Sequence, residues 1–340
     1  MPRSIMNGFL VLLMVLVASA CEAAPGTRGP DSRAAIDGAL AALRTEPAVA
    51  YDLAGGAVLN VTGKGLAQGT LPLRGEQAPI VRAGGDLYLR APATYWQAQG
   101  MSADRAAEYG ARWARSTPGV DPGWLLTPAT LAQALRAAVP DTVRASRITL
   151  AGGLDALDAA GLRVTAVPPF RVLDFEPALL GSGVSQTLGD PRIGVRAFRP
   201  SEHPALRTAF DNAVDSLGQP FVAGPVVAAT VTGNTLACTT AGACTDTVQV
   251  ANRLLGEAPE ASARLVLRSS VSADRLGAQD CGQELVTPFD AATTMSCSVK
   301  FALPKVSGTA QVSALPAVTA EPVADLDPAA FKQAAAAELG

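Results

Sequence analysis

The spacing of apolar positions changes several times along the chain, and each change predicts a different kind of structure. An unbroken apolar run, Phe9 to Val17, follows one basic residue, Arg3, and gives way to small residues ahead of Cys21. A membrane-spanning helix needs about 20 apolar residues, so this run is too short; with its basic start and small-residue end it predicts an export signal over residues 1–20. Residues 21–32 are rich in Pro, Gly and Ala and predict a flexible tether. From Arg33 to Arg44 the period is helical, with Ala35, Ile36, Ala39, Leu40 and Leu43 on one stripe and Ser32 placed as an N-cap. A period of two then takes over in Val49 to Leu53, Ala57 to Thr62, Leu66 to Leu73, Pro79 to Arg82 and Asp86 to Arg90. Gly63-Lys64-Gly65 and Gly84-Gly85-Asp86 fall where hairpin turns belong, which predicts a meander of antiparallel strands.

Helical spacing returns at Tyr95-Trp96, Ala103 to Ser116 and Pro128 to Ala138, the last with Thr127 before it and Pro128 at the first helical position. Strands follow at Arg147 to Leu150, Leu162 to Val167 and Phe170 to Phe175. Residues 33–180 therefore read as an α+β domain with helices on one face of a curved antiparallel sheet. Residues 181–221 read as a connector with a helix at Ala205 to Leu217. Residues 222–318 read as an all-β sandwich with strands at Val226 to Val231, Thr245 to Ala251, Ala263 to Val271, Thr293 to Leu303 and Thr309 to Leu315. Residues 319–340 read as a Pro- and Ala-rich tail with a short helix at Pro328 to Leu339.

Cysteine usage adds a compartment to this picture. Apart from Cys21 there are four, Cys238, Cys244, Cys281 and Cys297, an even set on an exported chain, and their short spacings favour bridges Cys238–Cys244 and Cys281–Cys297. Zinc is the competing reading, but the spacings are not CxxC and the single histidine, His203, is far away. The net charge is −3, or −4 without residues 1–20, so the basic surface of a nucleic-acid binder is missing.

The segment Val17-Ala18-Ser19-Ala20-Cys21 resembles a bacterial lipobox. That resemblance implies that Cys21 is diacylated, becomes the mature N-terminus and holds the protein to the outer face of the cell membrane. A plain secretory signal, with Cys21 incidental, is the alternative.

Aromatic residues divide the chain. All three tryptophans and all four tyrosines lie between Tyr51 and Trp124. Tyr88, Tyr95, Trp96, Met101, Tyr109, Trp113 and Trp124 are candidate ligand-cavity residues, the other reading being that they fill a core or cover a helix–sheet seam. Tyr51-Asp52 after an amphipathic helix, the strand Gly84-Gly85-Asp86-Leu87-Tyr88-Leu89, Trp96, and the helix entry Leu125-Leu126-Thr127-Pro128 resemble the actinobacterial LppX/LprG-type lipoproteins. The resemblance implies a half-barrel closed by helices around an apolar cavity for acyl chains. The Cys-x5-Cys followed by TDTVQVAN, with the later cysteine pair, resembles the β-sandwich before the effector region of some actinobacterial exported toxins. Only Glu321 to Gly340 follows, too little for an effector domain.

Enzyme signatures are missing: there is no GxSxG, no HExxH and no phosphate-binding loop, and no cofactor or metal is expected. Gly63, Gly65 and Gly69 form GxGxxxG, one residue too long for a dinucleotide fingerprint. The expectation is a non-enzymatic, lipid-anchored envelope protein that carries an acylated ligand in its first domain. The alternative is a stalk or display module whose protein partner docks on the sandwich.

Overall fold

The computed structural model describes residues 32–340, apart from 74, 117–120, 190 and 304–307. The predicted export signal, Cys21 and the tether up to Asp31 lie outside the described residues, and Ser32, expected as an N-cap, is the first residue of the helix. The described residues begin with α1 (Ser32–Thr45), whose Ala35, Ile36, Ala39, Leu40 and Leu43 are buried, before Pro47 ends the helix. An antiparallel meander follows: β1 (Ala48–Asp52), β2 (Val58–Thr62), β3 (Ala67–Leu73), β4 (Glu76–Ala83) and β5 (Asp86–Leu89). Next come α2 (Ala93–Ala98), α3 (Ala103–Tyr109), β6 (Ala114–Ser116), α4 (Pro122–Leu125) and α5 (Pro128–Ala138). The first domain is completed by β7 (Ser146–Thr149), β8 (Asp155–Ala159), β9 (Leu162–Thr165), β10 (Val172–Phe175), α6 (Ser182–Leu188), β11 (Ile193–Ala197), α7 (His203–Asp215) and β12 (Phe221–Val222). Beyond it lie β13 (Val226–Cys238), β14 (Ala243–Leu255), β15 (Ala261–Ala273), β16 (Gly277–Thr287), β17 (Ala292–Lys300), β18 (Val312–Ala324) and α8 (Pro328–Leu339).

The fold is α+β. In the first domain the strand order is β12-β6-β5-β4-β3-β2-β1-β11-β10-β9-β8-β7. α1 and α5 pack against each other, and their apolar stripes share one core with the inward residues of the sheet, among them Leu59, Ile80, Leu162 and Phe175. The hydroxyl of the fully buried Tyr51 donates to the carbonyl of Leu126 at 2.6 Å, tying β1 to the entry of α5.

The strand expected at Val226 to Val231 extends to Cys238, and the one expected at Thr309 to Leu315 runs from Val312 to Ala324, past the expected start of the tail at residue 319, because each continues its pairing with its neighbour. Three further differences from the sequence reading have physical causes. The helix expected from Ala103 to Ser116 stops at Tyr109. A Cβ on Gly110 would sit 2.8 Å from the backbone nitrogen of Ala93, and residues 114–116 instead form β6 between β5 and β12. The stretch read as a connector contains β11, which lies between β1 and β10 in the first sheet. β16 was not expected because its inward positions include Gln279 and Gln283, so it lacks an apolar alternation. Those side chains bond β17: Gln279 donates to the carbonyl of Lys300 at 3.0 Å and accepts from its N–H at 3.3 Å, and Gln283 accepts from Ser296 N–H at 2.6 Å.

The second domain is sandwich-like. One sheet is β13-β14-β17, the other β16-β15-β18, and Val248, Val250, Leu265, Leu267 and Met295 fill the space between them. Pro316 and Pro322 of β18 lack a backbone N–H and pair with Ser269 and Ala263, so they blunt the outer edge of that sheet. The second sheet is continuous with the first domain's through β12, where Phe221 is opposite both Ala114 of β6 and Val323 of β18. After β18 the chain turns back: the side chain of Asp327 caps α8, with Pro328 at its first position, and α8 lies beside α7. Leu339 packs with Ala48 and Leu206, Lys332 meets Asp215 at 2.6 Å, and Phe331 covers Gly84, where a Cβ would come within 2.6 Å of its ring.

Candidate functional site

The predicted aromatic set occupies three places. Trp96 and Tyr109 are buried around Phe221, with ring centroids 5.3 and 4.1 Å from it; Tyr95 meets Trp96 edge-on at 5.1 Å, and Met101 packs against the same core. Tyr88 and Trp113 belong to a different cluster, with Phe210, Val214, Val222 and Ala335. The alternation of β5 explains the split, since Leu87 and Leu89 enter the main core while Tyr88 points to the opposite face. Trp124 is 56 % exposed, with the Arg82 guanidinium 5.7 Å from its ring centre. The structure therefore brings together Tyr95, Trp96, Met101 and Tyr109, and separates Tyr88, Trp113 and Trp124 from them.

Concavities among the described residues lie elsewhere. A cleft of about 190 Å³ opens at the seam of α1 with β10 and β11, floored by Leu43, Val49, Val172 and Val195, with Glu46 and Arg171 paired at 3.5 Å on its rim. A shallow groove of about 810 Å³ runs between α1 and α5 over Leu40, Ala41, Ala129 and Ala132, edged by Arg44 and Arg136. A third, of about 750 Å³, covers the outer face of β15, β16 and β18, where Arg268 stands between Gly282 and Ala317 and Leu315 is 77 % exposed.

A dense polar cluster joins the two domains. Arg112, just past α3, grips Glu321 of β18 with both terminal nitrogens, at 2.8 and 2.6 Å. Arg264 of β15 adds a third hydrogen bond to Glu321 at 2.8 Å and holds Glu284 at 2.7 Å, while the Tyr109 hydroxyl donates a fourth at 2.9 Å. Burial pushes the Glu321 carboxyl upward, but the hydrogen bonds from Arg112 and Arg264 outweigh it and leave the group below its ordinary range. The Tyr109 hydroxyl is pushed up to about 12, first by burial and then by the neighbouring Glu321 charge. Next to this cluster Arg115, 7 % exposed, donates to the carbonyls of Pro259 and Glu260 and lies 3.6 Å from Asp86. Sequence reading missed these residues. Arg112 and Glu321 are 209 positions apart, and neither sits in a motif.

Both expected disulfides are present, Cys238–Cys244 closing the end of the β13–β14 hairpin and Cys281–Cys297 linking β16 to β17 across the two sheets. Among the described residues no cluster of His, Cys, Asp or Glu is arranged to hold a metal ion. His203 begins α7 and is half-buried. No described helix is long and apolar enough to cross a membrane.

No protein family, curated protein or solved structure matches this chain.

Proposed function

We propose that the protein is a non-enzymatic, lipid-anchored component of the cell envelope, working as a rigid two-domain module that holds its sandwich outward for a protein partner. The observation that carries this reading is the joint. The pairing of Phe221 with Val323, the return of α8 onto α7 and the Arg112–Glu321–Arg264 cluster tie the domains at three points, which suits a fixed spacer better than a hinged carrier. The lipobox-like Cys21 and two disulfides support placement on the extracytoplasmic face. The test has two parts. Metabolic labelling with a fatty-acid probe should mark the wild type and not Cys21→Ser, and site-specific photo-crosslinkers on the sandwich should give one discrete adduct in intact cells. Equal labelling of both proteins, or crosslinks only from the first domain, would overturn it.

A second reading has its own observation. If the first sheet is the half-barrel of an LppX/LprG-type lipoprotein, the apolar cleft between α1 and β10–β11 lies between helix and sheet, where an acyl chain would enter, and Arg171 and Arg196 flank it for an anionic head group. Native mass spectrometry of protein purified from its host should then show bound acyl species, displaced by Val195→Trp. Ligand-free protein would remove this reading and leave the spacer reading untouched.

A further inference from the structure

One buried group in the sandwich serves neither reading. Along β14 the inward positions are Cys244, Asp246, Val248 and Val250, so a carboxylate occupies a place where an apolar residue is the rule. Asp246 is fully buried. Its Oδ2 accepts from the Ser269 hydroxyl of β15 at 2.5 Å, and its Oδ1 is buried with no partner among the described residues. A buried polar atom without a partner is costly, and a hydrogen bond to Ser269 alone would be served as well by a hydroxyl or an amide.

The surroundings of that free oxygen are specific. Asp246 is directly opposite Cys297 of β17, and Ser269 is directly opposite Cys281 of β16. Both Asp246–Ser269 and Cys281–Cys297 cross between the sheets, so the four residues close a square in the middle of the sandwich. Directly opposite residues have Cβ atoms about 5 Å apart, within reach of a side-chain carboxylate for a neighbouring sulfur. One apolar cluster, with Val248 and Leu267, lies on one side of the square; another, with Val271, Val299 and Phe301, lies on the other. Access is uneven: Cys297 is 7 % exposed, whereas Cys281 is half-buried at the β16–β17 corner.

We propose that Asp246, Cys281 and Cys297 form a thiol–disulfide exchange site, with Asp246 as the proton acceptor of Cys297 and a protein dithiol/disulfide of the oxidoreductase class as partner. In the closing direction the Cys281 thiolate attacks the partner's disulfide, giving a mixed disulfide and one partner thiolate, which takes up the proton that Cys281 released. Asp246 then removes the proton of Cys297, and the Cys297 thiolate attacks Sγ of Cys281. The mixed bond breaks, and its electron pair leaves on the second partner sulfur, which receives the proton held by Asp246. Two electrons and two protons pass from the cysteines to the partner, which departs as its dithiol. Opening is the reverse. Cys238–Cys244 has no carboxylate opposite it, since Cys244 faces Val299, and so provides a control within the same molecule.

The experiment uses the full chain, reduced with dithiothreitol under native conditions and treated with oxidised glutathione. Resolution of each protein–glutathione mixed disulfide is followed by acid quench, alkylation and mass mapping. Between about pH 8 and pH 6 a thiol of ordinary pKa loses about 100-fold of its thiolate, and Cys238–Cys244 should slow by that factor. Cys281–Cys297 should slow by less than about tenfold, Asp246→Asn should restore the full slope, and Ser269→Ala should keep the shallow one. If Asp246→Asn does not fold, the wild-type comparison of the two pairs decides alone. Equal slopes at both pairs, an Asp246→Asn profile like the wild type's, or a Cys281–Cys297 bridge that does not open in the folded protein would each overturn the proposal.

Discussion

Replacing Glu321 by Gln removes the charge at the centre of the domain joint while keeping the shape of the side chain. Glu321 is 7 % exposed and accepts four hydrogen bonds, three from guanidinium groups and one from Tyr109. Breaking a buried ion pair by removing one partner costs about 3–5 kcal/mol. Here the two arginine side chains keep 27 % and 23 % of their exposure and Arg264 retains Glu284, so solvent recovers part of that, leaving about 2–3 kcal/mol. The loss should fall on the joint rather than evenly on both domains. Urea unfolding should show one transition in the wild type and two in Glu321→Gln, and small-angle scattering should show a broader distribution of domain separations in the variant. Acid should mimic the variant. The Glu321 carboxyl is held below its unfolded range, so its contribution is present above about pH 4 and is lost as pH falls through the folded value. Unchanged scattering together with a stability change under about 0.5 kcal/mol would refute the idea that this cluster fixes the domains.

Other substitutions test separate parts of the fold. Tyr51→Phe leaves the buried carbonyl of Leu126 unpaired and should cost about 1–3 kcal/mol by urea denaturation, with no change in far-ultraviolet circular dichroism. Leu265→Ala, at a position with no exposure in the sandwich core, should cost about 2–5 kcal/mol and lower the melting of the second domain first, seen as selective proteolysis there. Gly84→Val puts a branched side chain at a φ of +62° and against the Phe331 ring, so it should free α8, which hydrogen exchange of residues 328–339 would report as lost protection.

The two apolar periods made much of the architecture readable. Thr127 with Pro128 marked the start of α5, and Pro328 to Leu339 gave the bounds of α8, because caps and helical prolines are local signals. The cysteine spacings sufficed for both bridges, each of which closes a short loop. What stayed hidden depends on partners distant in sequence. β11 offers only a five-residue alternation, Ile193, Val195 and Ala197, and owes its place to β1, nearly the whole first domain away. The joint relies on Arg112 and Glu321, ordinary charged residues until the fold sets them face to face. For the candidate site, the aromatic set was visible as a cluster in sequence, yet the period of β5 sends Tyr88 to the opposite face from its neighbours, so closeness along the chain did not become one wall.

The return of α8 to the first domain changes what counts as the end of the molecule. The chain leaves for the sandwich at Phe221 and comes back beside it at Val323, two positions that are cross-strand neighbours. Topologically the sandwich is an insertion between α7 and α8, a long excursion whose two stems meet at one point. Tension applied to its far tip would load both stems together, pulling on β12 and β18 at once rather than peeling one strand after the other. A reporter fused after Gly340 would sit at the base of the module, and only an insertion in a distal turn, such as Thr239 to Gly242, would mark its tip.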